Sequence, residues 1–296
     1  MWIKANPYLA TTPQGMESLR DAATTAQDMG GEMLRDFQVK SLNLWVENSD
    51  DAFIDTAKWK ENGTDLTLED FREHGVYVGL DLSSGGDLTT LSIEVEYEAD
   101  DGENEYFVDS HSFMPRGRLQ EHLKTDLVPY DIWEQKGLLT VTGGDNDFRN
   151  DYKFIIKRLQ EIVDKYDLII QGIAIDPHNA DGIMADLEEF GAPILIVNQS
   201  ARYMNDATVD VRLLVKSNRL KYNRHNELLT WSMTNAKITM DSFENIKVDK
   251  KSHRFQRIDP VDALLDSHTM LMKNRDSEPF DGDAYLEDYL DLMGWS

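Results

Sequence analysis

Three aspartates lie in or beside apolar segments, and each limits how its segment can fold. Asp81 lies in the apolar run 76–82, Asp176 directly follows the run 172–175, and Asp259 precedes an apolar segment that begins at Pro260. A carboxylate at the end of a buried strand is costly in free energy unless a partner or a bound cation compensates its charge. The three placements together predict a site for divalent cations.

Composition narrows both the class of protein and the kind of metal. With 296 residues and 41% hydrophobic content, the chain can bury one large core with appendages. It has no run of about 18 apolar residues and no charged-then-apolar leader, so we expect a protein that neither spans a membrane nor is secreted. The absence of cysteine excludes disulfides, thiolate nucleophiles and cysteine-ligated zinc. Hard cations bound by oxygen atoms are the metals that fit.

The net charge of −25 argues against a general nucleic-acid binder, because phosphate contacts require Lys and Arg. The charge is unevenly distributed, however. Residues 212–257 include 11 basic and 4 acidic side chains, a local charge of +7. A groove for a polyanion on an acidic body would produce this asymmetry, and a solvated basic face would produce it equally well.

The chain divides into three parts by its sequence pattern. Residues 1–70 contain Pro and Gly breaks and little apolar periodicity, so we expect a connector there. Residues 71–275 alternate predicted strands and helices, and residues 276–296 carry seven acidic residues and no basic one. We expect this acidic tail to be disordered, unless it contacts a partner protein or shields a basic groove.

The middle part predicts an α/β domain. The run 76–82, a Ser-Gly turn and the alternating segment 88–97 predict two antiparallel strands. Strand and helix patterns then alternate, which implies parallel pairing within a mixed β-sheet flanked by helices. Further strands are predicted at 105–113, 138–141, 169–175 and 193–197, with a hairpin at 237–247. Helices are predicted at 118–135, as one helix or two short ones, and at 151–166, 180–190, 206–218, 226–235 and 260–273. Asp259 is predicted at or near the N-cap of the last of them.

Several short motifs occur in an order that matches a known family. They are Trp2-Ile3-Lys4-Ala5-Asn6-Pro7, Leu42-Asn43-Leu44-Trp45, Gly79-Leu80-Asp81-Leu82-Ser83-Ser84, Ile175-Asp176-Pro177 and Arg257-Ile258-Asp259. With them, the chain resembles the nuclease portion of the large terminase subunits of tailed phages, which has a ribonuclease H-like fold. No phosphate-binding loop ending in Gly-Lys-Ser/Thr occurs in the sequence. We therefore expect the ATPase half of such proteins to be missing here, and residues 1–70 to be the connector from it.

The resemblance implies a metal-dependent endonuclease that cuts concatemeric phage DNA with two divalent cations, Mg²⁺ or Mn²⁺. It implies that Asp81 bridges both cations and that Asp176 and Asp259 complete the metal site. Asp87 would bind one cation directly or through water. Asp262, three residues after Asp259, is the alternative third ligand and a supporting carboxylate.

The resemblance also suggests residues around the metals. His178 would at most contact a metal ligand, and it would not bind a cation itself. If the basic segment binds DNA, the candidates lie in the loop that leads to Asp259, namely Lys247, Lys250, Lys251 and Arg254. The expected partners are double-stranded phage DNA, a portal protein, a small terminase subunit and the ATPase half of the full-length chain. The expected location is the cytoplasm of the host cell.

Other interpretations fit parts of the sequence. Actin-like and sugar-kinase ATPases begin with a similar Asp-bearing hairpin, although their second phosphate hairpin and Gly-rich adenosine motif are not visible here. A non-catalytic portal-docking module could keep the nuclease fold. Each aspartate also has an ordinary structural role open to it: a turn residue at Asp81 and Asp176, and a helix cap at Asp259.

Overall fold

The computed structural model describes residues 5–6, 9–29, 37, 41–42, 51–83, 88–125, 128–177, 179–249 and 257–275. Part of the predicted site and the acidic tail lie outside these ranges: Asp87, His178, Lys250, Lys251, Arg254 and residues 276–296. The chain forms two compact units, Met1–Ala52 and Phe53–Ser296. In the smaller unit the described residues include helix α1, Pro13–Met29, in which Leu19 and Ala26 are buried.

A mixed β-sheet forms the centre of the larger unit, as the sequence predicted. In the described part of the chain it has eight strands: β1 Gly63–Thr64, β2 Gly75–Asp81, β3 Thr89–Glu98, β4 Asn104–Pro115, β5 Leu139–Thr142, β6 Ile169–Ile175, β7 Ile194–Ile196 and β8 Leu220–Asn223. Their order is β1-β8-β4-β3-β2-β6-β7, and β5 also pairs with β4. The pairs β2–β3 and β3–β4 are antiparallel, and the others are parallel. A separate antiparallel hairpin consists of β9, Lys237–Met240, and β10, Ile246–Asp249.

Helices cover both faces of this sheet. Those in the described part of the larger unit are α2 Thr56–Glu61, α3 Arg116–Thr125, α4 Tyr130–Gln135, α5 Lys153–Tyr166, α6 Met184–Glu188, α7 Ala201–Lys216, α8 Glu227–Asn235 and α9 Asp259–Arg275. None of the helices within the described ranges combines the length and the apolar character needed to cross a bilayer.

Alternation along each strand sorts side chains between two cores. Val78 and Leu80 of β2 pack beneath α5 and α6, whereas Tyr77 packs beneath α7, α8 and α9. The same alternation places Gly79 and Asp81 on the α9 face, because neighbouring residues of a strand point to opposite faces. A third, smaller core joins α3, α4 and β5 through Leu119 and Leu139, among others.

Residues 53–70, which we expected to belong to the connector, lie instead in the larger unit. Phe53 and Trp59 are fully buried in its core. Trp59 stacks on Tyr222 of β8 with ring centroids 4.0 Å apart, and β1 extends the sheet by pairing with β8. The sequence pattern did not show this, because these contacts join segments about 160 residues apart.

Gly79 allows α9 to lie directly on the sheet. A Cβ atom at this position would overlap the carbonyl oxygen of Ala263 and stand 2.5 Å from the amide nitrogen of Ser267, both in the backbone of α9. At Gly172 on neighbouring β6, a Cβ atom would overlap the side chain of Met270. Larger residues would push the helix away, because packed interiors have no free space to absorb them.

Strand β4 carries a titratable side chain on the face covered by α5. Burial raises the pKa of Asp109 to about 6, and the positive charge of Arg158 acts in the opposite direction. Since an unfolded aspartate titrates near 3.9, the native carboxyl binds its proton more tightly than the unfolded one. Ionisation of Asp109 therefore lowers the free energy of unfolding as pH rises from about 4 to about 6. Above about pH 6 the loss is complete.

We expect Gly79→Ala to lower the free energy of unfolding by about 1–3 kcal/mol, because α9 must move away from β2. Urea unfolding followed by circular dichroism measures this. Gly144→Ala is the matched control, since a Cβ atom there would meet only Asp147 at 3.7 Å. Equal urea midpoints for the wild-type chain and Gly79→Ala would contradict the role given to this glycine.

We expect Asp109→Asn to stabilise the chain by about 1–3 kcal/mol at pH 7.5 and to have little effect at pH 4, because only the ionised carboxylate is unfavourable. Urea unfolding of both proteins at the two pH values is the measurement. Asp100→Asn, at an exposed turn position, serves as the control. A difference that is the same at both pH values would show that charge is not the cause.

Candidate metal centre

Asp81 and Asp176 end two neighbouring parallel strands. Asp81 is the last residue of β2, and Asp176 directly follows Ile175, the last residue of β6. The backbone N–H of Asp176 donates a hydrogen bond to the carbonyl oxygen of Leu80, with a nitrogen–oxygen distance of 3.2 Å. Because parallel neighbours end at the same edge of a sheet, the two aspartates lie side by side.

Both side chains face α9. Asp81 follows Gly79 by two positions, and Asp176 follows Ala174, whose side chain packs in the core beneath α9, by two positions. Together with Asp262 of α9 they line one cavity of about 190 Å³. The other residues that line it are Gln199, Met204, Lys247, Val248, Asp249, Ile258 and Leu265.

Helix α9 contributes three aspartates along one face, at positions i, i+3 and i+7. Asp259 is its first residue and is only 5% exposed, and Asp266 is fully buried. Asp262 is the member of the three that lines the cavity. The structure thus brings the predicted ligands Asp81 and Asp176 to one cavity with Asp262, while Asp259 lies close enough for its charge to act on Asp81.

Burial, and then mutual repulsion, disfavour the ionised forms of the carboxylates in this cluster. Burial raises the pKa of Asp81 well above its usual range, and the charges of Asp259, Asp262, Asp266 and Asp176 raise it further. Burial also raises the pKa of Asp266, as do the charges of Asp176 and Asp262, against a hydrogen bond from Gln199. So many carboxylates in one place are stable together only if protons or cations neutralise them.

The oxygen atoms available here suit a hard cation. Gln199 Nε2 donates to Asp266 Oδ1 at 3.0 Å, whereas the buried Oδ2 atom has no hydrogen-bond partner among the described residues. In the described part of the chain, no group of three or more His, Asp or Glu side chains already has an arrangement that could hold a metal ion. The donor set is nevertheless all oxygen, which Mg²⁺ and Mn²⁺ prefer.

Of the predicted DNA-binding residues, the structure describes Lys247. Its Nζ atom lies 3.4 Å from the backbone carbonyl oxygen of Gln199, and the side chain lines the cavity. It therefore places a positive charge beside Asp81 and Asp176.

A buried ionic network beside the cavity was not predicted. His268 of α9 is fully buried, with Nδ1 2.8 Å from Glu94 Oε1 and Nε2 3.0 Å from Asp210 Oδ2. Burial alone would lower the pKa of His268, but the two carboxylates raise it to about 9, so the imidazole is charged at neutral pH. Because Glu94 lies on β3 and Asp210 on α7, the network fixes α9 between them. The sequence signal for it was Glu94, a charged residue inside the predicted strand 88–97.

The fold is a ribonuclease H-like α/β domain, and the acidic cavity lies where β2 and β6 end. The family model described as "Terminase large subunit, endonuclease domain" matches residues 1–276, so the chain belongs to this family. This membership argues against the actin-like and sugar-kinase alternative.

Individual relatives agree with this membership. The chain is 32% identical over 266 residues to the large terminase subunit of Enterobacteria phage HK97, covering 89% of this chain and 49% of that protein. It thus spans about half the length of this curated relative. The crystal structure of the HK97 large terminase aligns with a TM-score of 0.62 and 29% identity over 91% of this chain and 53% of that one.

A more distant structural match is the large terminase nuclease of the thermophilic phage G20c, solved with bound magnesium. Its TM-score is 0.45 with 11% identity, and the match covers 75% of this chain and 98% of that one. At that distance the likeness says nothing about individual side chains of this chain.

We expect Asp81→Asn to raise the melting temperature by a few degrees in EDTA, because it removes one of the repelling carboxylates. The wild-type chain is expected to gain stability on addition of Mg²⁺ or Mn²⁺, and the variant to gain much less. Thermal unfolding with and without metal is the measurement, with Asp100→Asn as the control. A wild-type melting temperature that does not respond to either metal would rule out a cation site in this cavity.

Proposed function

We propose that this chain is a metal-dependent DNA endonuclease that cuts concatemeric phage DNA by two-metal hydrolysis of the phosphodiester bond. The observation that carries the proposal is that Asp81, Asp176 and Asp262 line one cavity on the scaffold of the terminase endonuclease family. Three separate segments supply these carboxylates. A purely structural role for each aspartate would not require them to meet.

Asp81 and Asp176 would hold the cations, with Asp262 or Asp259 as the third carboxylate. We favour Asp262, because it lines the cavity with Asp81 and Asp176. Bound divalent cations supply an activated water and neutralise charge on the scissile phosphate and on the leaving oxygen. Mg²⁺ and Mn²⁺ both suit this oxygen donor set.

The remaining residues of the cavity would position DNA and limit the access of bulk water to the site. Lys247 places an ammonium group where a phosphate would approach, which offsets the negative charge of the cluster. Met204, Ile258 and Leu265 form apolar parts of the wall. Apolar walls exclude bulk water and strengthen the electrostatic interactions inside the cavity.

The partners follow from the family. We propose that the domain acts on double-stranded phage DNA within a packaging terminase, together with an ATPase half, a portal protein and a small terminase subunit, in the cytoplasm of the host cell. Cutting would depend little on DNA sequence, because the side chains that line the cavity suit backbone contacts.

Cleavage of supercoiled plasmid with Mg²⁺ or Mn²⁺ tests the proposal. We expect the wild-type chain to nick and linearise the plasmid and Asp81→Ala to be at least about 100-fold slower, since the loss of a metal ligand removes several kcal/mol of transition-state stabilisation. Circular dichroism confirms that the variant is folded, and Asp100→Asn is the control. Unchanged cleavage by Asp81→Ala would instead support a non-catalytic module.

The same assay identifies the third carboxylate. Asp262→Asn is expected to lose about as much activity as Asp81→Ala, and Asp259→Asn to lose less. The reverse order would make Asp259 the ligand, as the family resemblance implied.

A further inference from the structure

The tip of the β9–β10 hairpin exposes two large apolar side chains. Phe243 is 82% exposed and Met240 is 63% exposed, the two highest values among the exposed large hydrophobic residues of the described chain. Contact of this ring with another surface would remove its apolar area from water.

The turn that carries Phe243 is held in one conformation. The carboxylate of Asp241 accepts hydrogen bonds from the backbone N–H groups of Phe243 and Asn245, at 2.8 and 3.0 Å, and from the side-chain amide of Asn245 at 3.0 Å. These bonds lower the pKa of Asp241. Glu244 adopts a left-handed conformation with φ of 68°. The exposure of Phe243 is therefore built into the turn.

The base of the hairpin is part of the candidate metal centre. Ile246 and Val248 are buried, and the backbone N–H of Ile246 donates to Asn205 Oδ1 of α7 at 3.0 Å. Lys247, Val248 and Asp249 line the cavity with Asp81 and Asp176. Phe243 precedes Lys247 by four residues, which places its Cα atom at most about 13 Å from that of Lys247, a residue that lines the cavity.

We infer that Phe243 contacts DNA bases near the scissile phosphate and stacks against, or wedges into, a base step. This inference rests on the proposed nuclease function. A distance of about 13 Å equals about four base steps of DNA, so one duplex can reach both the metals and the tip. Side chains of this kind unstack bases in other DNA-binding proteins, and aromatic stacking on bases tolerates any sequence.

The observations favour DNA over a protein partner at this tip. A stable protein interface buries about 800 Å² on each side, which a five-residue turn with one ring and one Met side chain does not offer. A single ring matches the size of a base. Residues 237–249 carry two basic and three acidic side chains, so a contact at the tip is made by the ring rather than by charge attraction.

The test measures DNA affinity in EDTA by fluorescence anisotropy with a short duplex, so that no cleavage is needed. Phe243→Ala is expected to weaken the Kd by about 5-fold to about 100-fold, and Phe243→Trp to keep wild-type affinity. Ile169→Ala is the matched control: Ile169 is 55% exposed, but it begins β6, at the opposite end of that strand from Asp176.

A duplex that contains 2-aminopurine reports base unstacking directly. Its fluorescence is expected to rise when the wild-type chain binds and to change little with Phe243→Ala. Equal Kd values and equal fluorescence for the two proteins would overturn the inference and would assign the tip to a protein partner. Because binding is measured without metal, that failure is distinct from a failure of the nuclease proposal, which Asp81→Ala tests in the cleavage assay.

Discussion

The close packing of α9 on β2 at Gly79 is the contact on which the candidate site depends. Because Gly79 has no side chain, the backbone of α9 reaches the strand at Ala263 and Ser267. Asp259 lies about one turn of helix before Ala263 and Asp262 directly before it, and two residues after Gly79 the strand carries Asp81. A single steric condition therefore brings carboxylates from distant segments into one region.

That packing also concentrates negative charge where water is scarce. The pKa of Asp81 is raised by the negative charges of four neighbouring aspartates, Asp259, Asp262, Asp266 and Asp176. A chain selected only for stability would not keep such a cluster, since buried like charges oppose folding. The charged pairs of His268 with Glu94 of β3 and Asp210 of α7 hold α9 in place. Cations bound between the carboxylates would remove this repulsion.

Local patterns in the sequence were enough to predict most of the elements. The apolar run 76–82 and the alternating segment 88–97 became β2 and β3, and the periodic segment 151–166 became α5, because side-chain periods of two and 3.6 residues directly reflect burial. Segments without a regular spacing of apolar residues were harder to predict. Residues 53–70 looked like a connector, since the reason for their burial lies in contacts with β8 and α8 far along the chain.

The sequence alone determined the strand–helix order, the family resemblance and the placement of Asp81 and Asp176 at strand ends, because each of these depends on neighbouring residues. Only the tertiary structure decided that Asp262 shares their cavity, that His268 is a buried cation between two carboxylates, and that Phe243 stands exposed beside the site. These facts depend on how distant segments pack, and the free energy of packing is a property of the whole chain rather than of any one segment.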